Sequence, residues 1–416
     1  MLKVEKLKYI LFYSISFLGF IGYYFILTLF INSFGNSRPK FISLIPILIF
    51  NICLFVLFIV CRKKKRPDLN FLLFSVFSIT YLIRIFLDST QNYPYYISHW
   101  QVFVMFTLFM AMPFIIIINI KIELKYFDSI RKAILFGALL FGLVILFYYG
   151  NLIGHVGRIG SSSDSEMNTL NPLSFSYCGA LAIGVGITFL IKNKISFKNK
   201  TFILAIIGLS VISFFLGSSR GSFVALLITF LFLPLLSKKA SNRIFLLLLA
   251  SLIIFSIIFI SILYQSDLMD RISGTQDAIE NSGTSAARLI LWEDSFNQFM
   301  DHPIIGSQLG LKRFGYYYPH NIFFEALLTT GIIGFIPLFW LLVNGFKKAI
   351  RIFQNTPQYA WLPVIFLQSF VQSMFSSAIF DALWLWLSLG LLLVFPFPKK
   401  QVKVIQIKIE QKSQSV

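Results

Sequence analysis

Residues 41–61 read FISLIPILIFNICLFVLFIVC, residues 62–68 read RKKKRPD, and residues 69–88 read LNFLLFSVFSITYLIRIFLD. Each flanking run is long enough, as a helix, to cross a hydrocarbon layer about 30 Å thick. Between them, Arg62-Lys63-Lys64-Lys65-Arg66 puts five adjacent positive charges where no apolar environment would accept them. That turn belongs in water, and the bias of Lys and Arg towards cytoplasmic loops gives it a side. A pair of apolar helices joined by a basic turn sets the fold class: an all-α bundle whose main solvent is lipid.

The same alternation continues in both directions. Apolar runs at 9–32, 41–61, 69–88, 100–120, 132–150, 172–191, 201–217, 221–237, 243–264, 322–345, 359–378 and 381–398 predict a polytopic bundle of about 12 transmembrane helices. Across all 416 residues, 57% are hydrophobic and 13% charged, with a mean hydropathy of +0.79. One soluble core has no room for that much apolar surface. The first run follows lysines but has no small-residue cleavage site, so it reads as a retained helix. Residues 1–416 read as a single integral membrane domain, without repeat or low-complexity linker.

The net charge of +19 would suggest nucleic acid in a soluble protein. Here its distribution points elsewhere. With the N-terminus inside, the predicted cytoplasmic segments hold 27 of the 36 Lys and Arg, the outward loops only eight, and Arg84 lies within a run. Both termini are therefore expected in the cytoplasm. The expected partners are membrane lipids and not nucleic acid. Cys53, Cys61 and Cys178 are scattered through apolar runs, with neither disulfide nor metal-ligand spacing.

Polar residues collect in two outward loops, 151–171 and 265–321. The second is too long to be a simple connection. Within it, Leu289, Trp292, Phe296 and Phe299 recur at spacings of three and four, predicting an amphipathic interfacial helix over 285–300 that Pro303 ends.

Several residues at the outward ends of helices suit an anion. Arg220, in Gly217-Ser218-Ser219-Arg220-Gly221-Ser222, opens an inward-running helix whose free N–H groups favour negative charge; the same arginine would also suit a lipid headgroup phosphate. Arg288 stands in the first turn of the loop helix, where a cation opposes the dipole unless it has another purpose. His320 precedes Asn321, a good N-cap, at the mouth of a further helix. Its imidazole is placed for general-base work or, protonated, for phosphate. Arg158, in Gly157-Arg158-Ile159-Gly160, is a further candidate. Arg84 and Asp88, at i and i+4, are expected to pair with each other. Glu325 is expected to find its partner among these arginines, since an unpaired intramembrane carboxylate is costly. No ligand cluster for a metal and no nucleotide motif is visible. The combination fits a lipid diphosphate, its tail in the bilayer and its head at the outward face.

Three of these motifs resemble those of the bacterial O-antigen ligases and O-antigen polymerases. They are Ser219-Arg220-Gly221 opening an apolar helix, Arg288-x3-Trp292 followed by Asp301-His302-Pro303-Ile304-Ile305-Gly306, and His320-Asn321 followed, after nine intervening residues, by Gly331-Ile332-Ile333-Gly334. They occur in the family's order, within about 205–342. The resemblance implies a membrane glycosyltransferase of the GT-C type in the bacterial cytoplasmic membrane, metal-independent and without cofactor. Its donor would be an undecaprenyl-diphosphate-linked glycan. Its acceptor would be a saccharide hydroxyl, on lipid A–core for a ligase or on a growing polysaccharide for a polymerase. By motif position, Arg220 and Arg288 would bind the diphosphate, with Arg158 a further candidate. His320 would act as base on the acceptor or as another diphosphate contact. The alternative class is a polysaccharide or anion transporter, which should gather its polar residues at the bilayer midplane instead.

Overall fold

The computed structural model describes residues 2–34, 44–62, 68–153, 171–190, 196–236, 251 and 284–397. Its named elements are all helices: α1 Leu2–Gly19, α2 Ile21–Phe34, α3 Ile45–Cys61, α4 Leu69–Thr90, α5 His99–Asn119, α6 Leu124–Tyr149, α7 Pro172–Leu190, α8 Phe197–Gly217, α9 Arg220–Leu236, α10 Thr284–Asp301, α11 Ile322–Asn355, α12 Trp361–Phe375 and α13 Leu383–Val394. Among the described residues, six helices (α4 to α8 and α11) are long and apolar enough to cross a membrane, or seven spans if α1 and α2 count as one bent span. Four shorter apolar helices accompany them: α3, α12, α13 and Arg220–Phe232 within α9. The run expected at 243–264, residue 251 apart, and Arg158 in the loop 151–171 lie outside the described residues.

Two helices form the centre. In α7 every residue from Phe175 to Thr188 is buried, and in α13 every residue from Leu383 to Leu392. A helix that is apolar all round belongs inside a bundle. Around them, α12 packs on both, α4 lies along α11, and α6 packs against α1, α2 and α8. Small residues set the closest approaches. A Cβ at Gly217 would stand 2.5 Å from Pro172 O, and one at Gly179 would stand 2.6 Å from Ser210 O, so α7 and α8 meet backbone to backbone.

Four expected spans differ from simple rods. The run 9–32 is bent by 61° between α1 and α2. Glycines flank the bend, and a Cβ at Gly19 would stand 2.6 Å from Leu387 and 2.8 Å from Phe50. In α5, residues Phe106–Ala111 form a π-turn. Pro113 cannot donate to the carbonyl of Phe109 and crowds it, and the wider turn relieves both faults. Asn51 then supplies a donor to the neighbouring Leu108 O at 3.2 Å. Helix α6 begins at Leu124, within the expected cytoplasmic turn, because Tyr126, Phe127 and Ile130 all pack inward. Glu5 draws that end onto α1 by accepting from Lys125 at 2.6 Å and Tyr126 at 2.7 Å. Finally, α11 outruns the expected 322–345 and is broken at Gly331 (φ 59°, ψ −162°).

The break in α11 is made good by residues 303–307. Ile332 N donates to Pro303 O at 2.9 Å and Ile333 N to Ile304 O at 3.3 Å, while Ser307 N donates to Leu328 O at 2.8 Å. Arg84 of α4 completes the joint. Its guanidinium donates to Thr329 O, Ile305 O, Gly306 O and Ser307 O. The expected pairing with Asp88 is present at 3.5 Å. Asp88 in turn accepts from Leu309 N at 2.7 Å. The intramembrane ion pair thus ties the loop after α10 to the bent helix that follows it.

Candidate functional site

The site is assembled from the first turn of α10, the residues before α11, the start of α9 and the end of α12. Helix α10 comes first because it sets the direction of Arg288. Its inward face consists of Trp292, Ser295, Gln298 and Phe299, whereas Leu289 and Phe296 are about half exposed. A helix is therefore present over the expected 285–300, with Trp292 and Phe299 turned inward and Leu289 and Phe296 outward. Trp292 Nε1 donates to Pro319 O at 3.0 Å, and the indole stacks on Phe324 with ring centres 5.8 Å apart. Gln298 holds the following loop, donating to Ser307 Oγ at 2.9 Å and Gly310 O at 3.2 Å while accepting from Lys312 N. Arg288 lies one turn before Trp292, on the same side of the helix.

His320 follows the proline that Trp292 holds. Asn321 caps α11 as expected, its side chain accepting from Phe323 N and Phe324 N. The cap leaves His320 in the left-handed region at φ 56°. That conformation costs about 1–3 kcal/mol for a residue with a side chain and persists where its surroundings impose it. Tyr318 packs on the imidazole with ring centres 4.3 Å apart. Burial, and the charge of Arg288 beside it, push the His320 pKa down to about 4, against a smaller opposing effect from the Ser376 backbone. The imidazole is therefore neutral at physiological pH. Among the described residues its Nδ1 is buried without a hydrogen-bond partner.

Tyr177 of α7 joins this pair to the turn before α9. Its hydroxyl lies 3.0 Å from Ser376 Oγ and within electrostatic reach of Arg288. A Cβ at Gly221 would stand 2.2 Å from the same hydroxyl. The turn itself is fixed by serines: Ser218 adopts φ 40°, Ser219 N donates to Ser176 Oγ at 3.3 Å, and Ser222 Oγ donates to Ser219 O at 2.8 Å. Arg220, half-buried, opens α9 beside them.

The structure thus brings Arg288 and His320 together, places Arg220 at the edge of the same cluster, and leaves Arg158 outside the described residues. Glu325 does not pair with an arginine as expected. It accepts from Tyr81 Oη at 3.0 Å and Ile379 N at 2.9 Å, neutral donors that fasten α11 to α4 and to the link before α13. Tyr177 and Ser376 were not visible as site residues in the sequence. Both stand in apolar runs, and nothing in their spacing distinguishes them from packing residues.

Among the described residues, no group of three or more His, Cys, Asp or Glu is arranged to hold a metal ion. What the cluster offers is fixed positive charge beside a neutral base. No curated protein matches the chain. Residues 203–339 match the family model described as O-Antigen ligase, a stretch that contains Arg220, Arg288 and His320. The match supports, over residues 203–339, the likeness to the O-antigen ligases and polymerases that the three motifs carry.

Proposed function

We propose that the protein transfers a glycan from undecaprenyl diphosphate to a saccharide hydroxyl at the outward face of the cytoplasmic membrane. The bundle is read as about 12 spans with both termini cytoplasmic, and α10 as an interfacial helix. The observation that carries this reading is the juxtaposition of Arg288, within electrostatic reach, and a neutral, half-buried His320, inside the segment that matches the family model.

The chemistry follows from those two groups together with Arg220. In the donor, the anomeric carbon is bonded to a diphosphate oxygen. Guanidinium groups at Arg288 and Arg220 neutralise the charge that develops on that oxygen as its bond to carbon breaks. An arginine fork grips two phosphate oxygens at once, so it orients the leaving group as well as stabilising it. His320, neutral because it is partly desolvated beside a cation, takes the proton from the acceptor hydroxyl as its oxygen bonds to the anomeric carbon. The products are the new glycoside, undecaprenyl diphosphate and an imidazolium. Fixed cations acting this way replace the metal that many diphosphate-using enzymes need.

Of the two acceptors we favour the ligase reaction, because a single long outward loop immediately precedes α11. The test is the glycan left behind in a deletion strain. Loss of a ligase leaves full-length chains on the polyprenyl carrier and none on the surface lipid, whereas loss of a polymerase leaves single repeat units. Carrier-linked units accumulating only on the cytoplasmic side would overturn the reading in favour of transport.

A further inference from the structure

A polar cavity enters the bundle beside Tyr177. It encloses about 170 Å³, the volume of about six waters. Its walls include Tyr177, Gln372, Ser373, Ser376, Asp381 and Trp384. On α12 and its C-cap, Ser369, Gln372, Ser373 and Ser376 line it at i, i+3, i+4 and i+7, one stripe of a helix that is apolar elsewhere but for Gln368. Polar groups at such depth are costly in lipid unless they face water or a ligand.

The backbone around the cavity is irregular in three places. The α1–α2 bend contributes Gly19 and Phe20, the π-turn of α5 contributes Phe109, and the break between α12 and α13 contributes Ser376, Ser377 and Asp381. Non-helical backbone at membrane depth is tolerated where it is buried in protein or lines a cavity. Three such departures meeting at one cavity mark it as more than a packing defect.

The lining also states what chemistry it accepts. Among the described residues that line it there is no Lys, Arg or His, and one carboxylate, Asp381. An anion is therefore disfavoured, in contrast to the Arg288 side of Tyr177. Ser369 and Ser373 give their hydroxyl protons to Ile365 O and Ser369 O, at 2.7 and 2.9 Å. Their remaining lone pairs are acceptors, as is the Asp381 carboxylate, one oxygen of which is steadied by Ala378 N at 2.9 Å. Gln372 and Asn171 add amide donors to these acceptors, so the wall suits a ligand whose hydroxyls both donate and accept, and the Trp384 ring adds an apolar surface for C–H groups. At its upper end the cavity reaches Ser376, whose Oγ meets Tyr177 and whose backbone acts on His320.

We propose that this cavity is the subsite for an uncharged sugar ring of the acceptor, held so that its attacking hydroxyl passes Tyr177 and Ser376 towards His320. The inference rests on glycosyl transfer at the Arg288–His320 cluster. The test uses the full chain in liposomes, with Gln372→Trp to fill the cavity and Gln372→Leu to remove only its polar atoms. The binding probe is neutral oligosaccharide released from the host's surface glycan, followed by quenching of tryptophan fluorescence without donor. Quenching in the unaltered protein that weakens at least tenfold in both folded variants is the expected result. Glycan-free undecaprenyl diphosphate should not displace the oligosaccharide; displacement overturns the assignment. In transfer assays, KM for the acceptor should rise at least tenfold while KM for the donor stays within twofold. A rise confined to the donor's KM, or unchanged oligosaccharide binding in Gln372→Leu, also overturns it. Absence of transfer by the unaltered protein, with oligosaccharide binding intact, would count against the proposed reaction and not against the sugar subsite.

Discussion

Arg84 Nη2 donates to the carbonyl oxygen of Gly306 at 2.8 Å, across 222 residues of sequence. The same guanidinium reaches the carbonyls of Ile305, Ser307 and Thr329, so one side chain of α4 holds both partners of the joint between the α10 loop and the broken α11. The joint in turn fixes where α10 lies, and hence where Arg288 stands relative to His320.

Arg84→Ala should therefore destabilise the folded protein by about 3–5 kcal/mol, because it leaves Asp88 as an uncompensated buried charge and four carbonyls without their donor. Arg84→Lys should recover part of that loss, since an ammonium is a point donor and cannot span four oxygens. Thermal unfolding in detergent checks both. Equal melting temperatures for Arg84→Ala and the unaltered protein would remove Arg84 from the joint.

Gly331 and Gly306 should tolerate no side chain. A Cβ at Gly331 would stand 2.4 Å from Ile304 O and 2.5 Å from Gly306 N; one at Gly306 would stand 2.6 Å from the carbonyl carbon of Thr329. Both also have positive φ, at 59° and 73°. Gly315 provides the comparison, for it has φ 61° but open space around it. Gly315→Ala should cost only the conformational penalty, about 1–2 kcal/mol. Gly331→Ala and Gly306→Ala should cost visibly more in the same unfolding measurement, and a ranking with Gly315→Ala worst would contradict the packing.

Arg288→Lys should lose most activity although charge is conserved, at least tenfold in kcat/KM, because the bidentate grip on the diphosphate is gone. Chelators should leave the rate of the unaltered enzyme unchanged if fixed cations carry the leaving group. Trp292→Phe should act in the same direction but more weakly. It keeps the ring and removes the bond to Pro319 O that aims the helix. Full turnover in Arg288→Lys at equal expression would return this arginine to an ordinary surface role.

His320→Asn separates catalysis from folding, since asparagine accepts the left-handed backbone that His320 adopts. Activity should fall about 100- to 10,000-fold, the range general-base assistance provides, with little change in melting temperature. The pH dependence carries a sign. With its pKa pushed down to about 4, His320 remains a neutral base above that value, so the acidic limb of kcat/KM should lie near pH 4, well below the ordinary histidine value of about 6.5. The unfolded chain binds this proton more readily than the folded one. Stability contributed here is thus fully present above about pH 6.5 and lost as pH falls towards 4. An acidic limb at 6.5 that persists in His320→Asn would assign the titration to another group.

Reporter fusions test the orientation on which the outward site depends. Tags after Lys64, Lys198, Lys239 and Lys348 should report cytoplasm, and a tag at residue 280 the opposite side. The basis is the 27-to-eight division of Lys and Arg between the two sets of loops. A cytoplasmic signal at 280 would defeat the proposed reaction along with the topology.

What the sequence determined by itself was the lipid environment, the helical class and the identity of the charged side chains. Hydropathy and charge are additive along the chain, so 41–88 could be read without knowing any neighbour, and the order of three short motifs carried the resemblance to a family. The Asn321 cap was legible for the same reason, being local. Only the tertiary structure decided that Arg84 serves the α10 loop as well as Asp88, that Glu325 is satisfied by Tyr81 and Ile379, and that Tyr177 borders the site. Each of those depends on which helices pack together. In a bundle whose helices are apolar on nearly every face, no periodicity in the sequence reveals that choice. It is made by close fits at glycines such as Gly179 and Gly217, and by buried donors and acceptors that must find partners where no water can replace them.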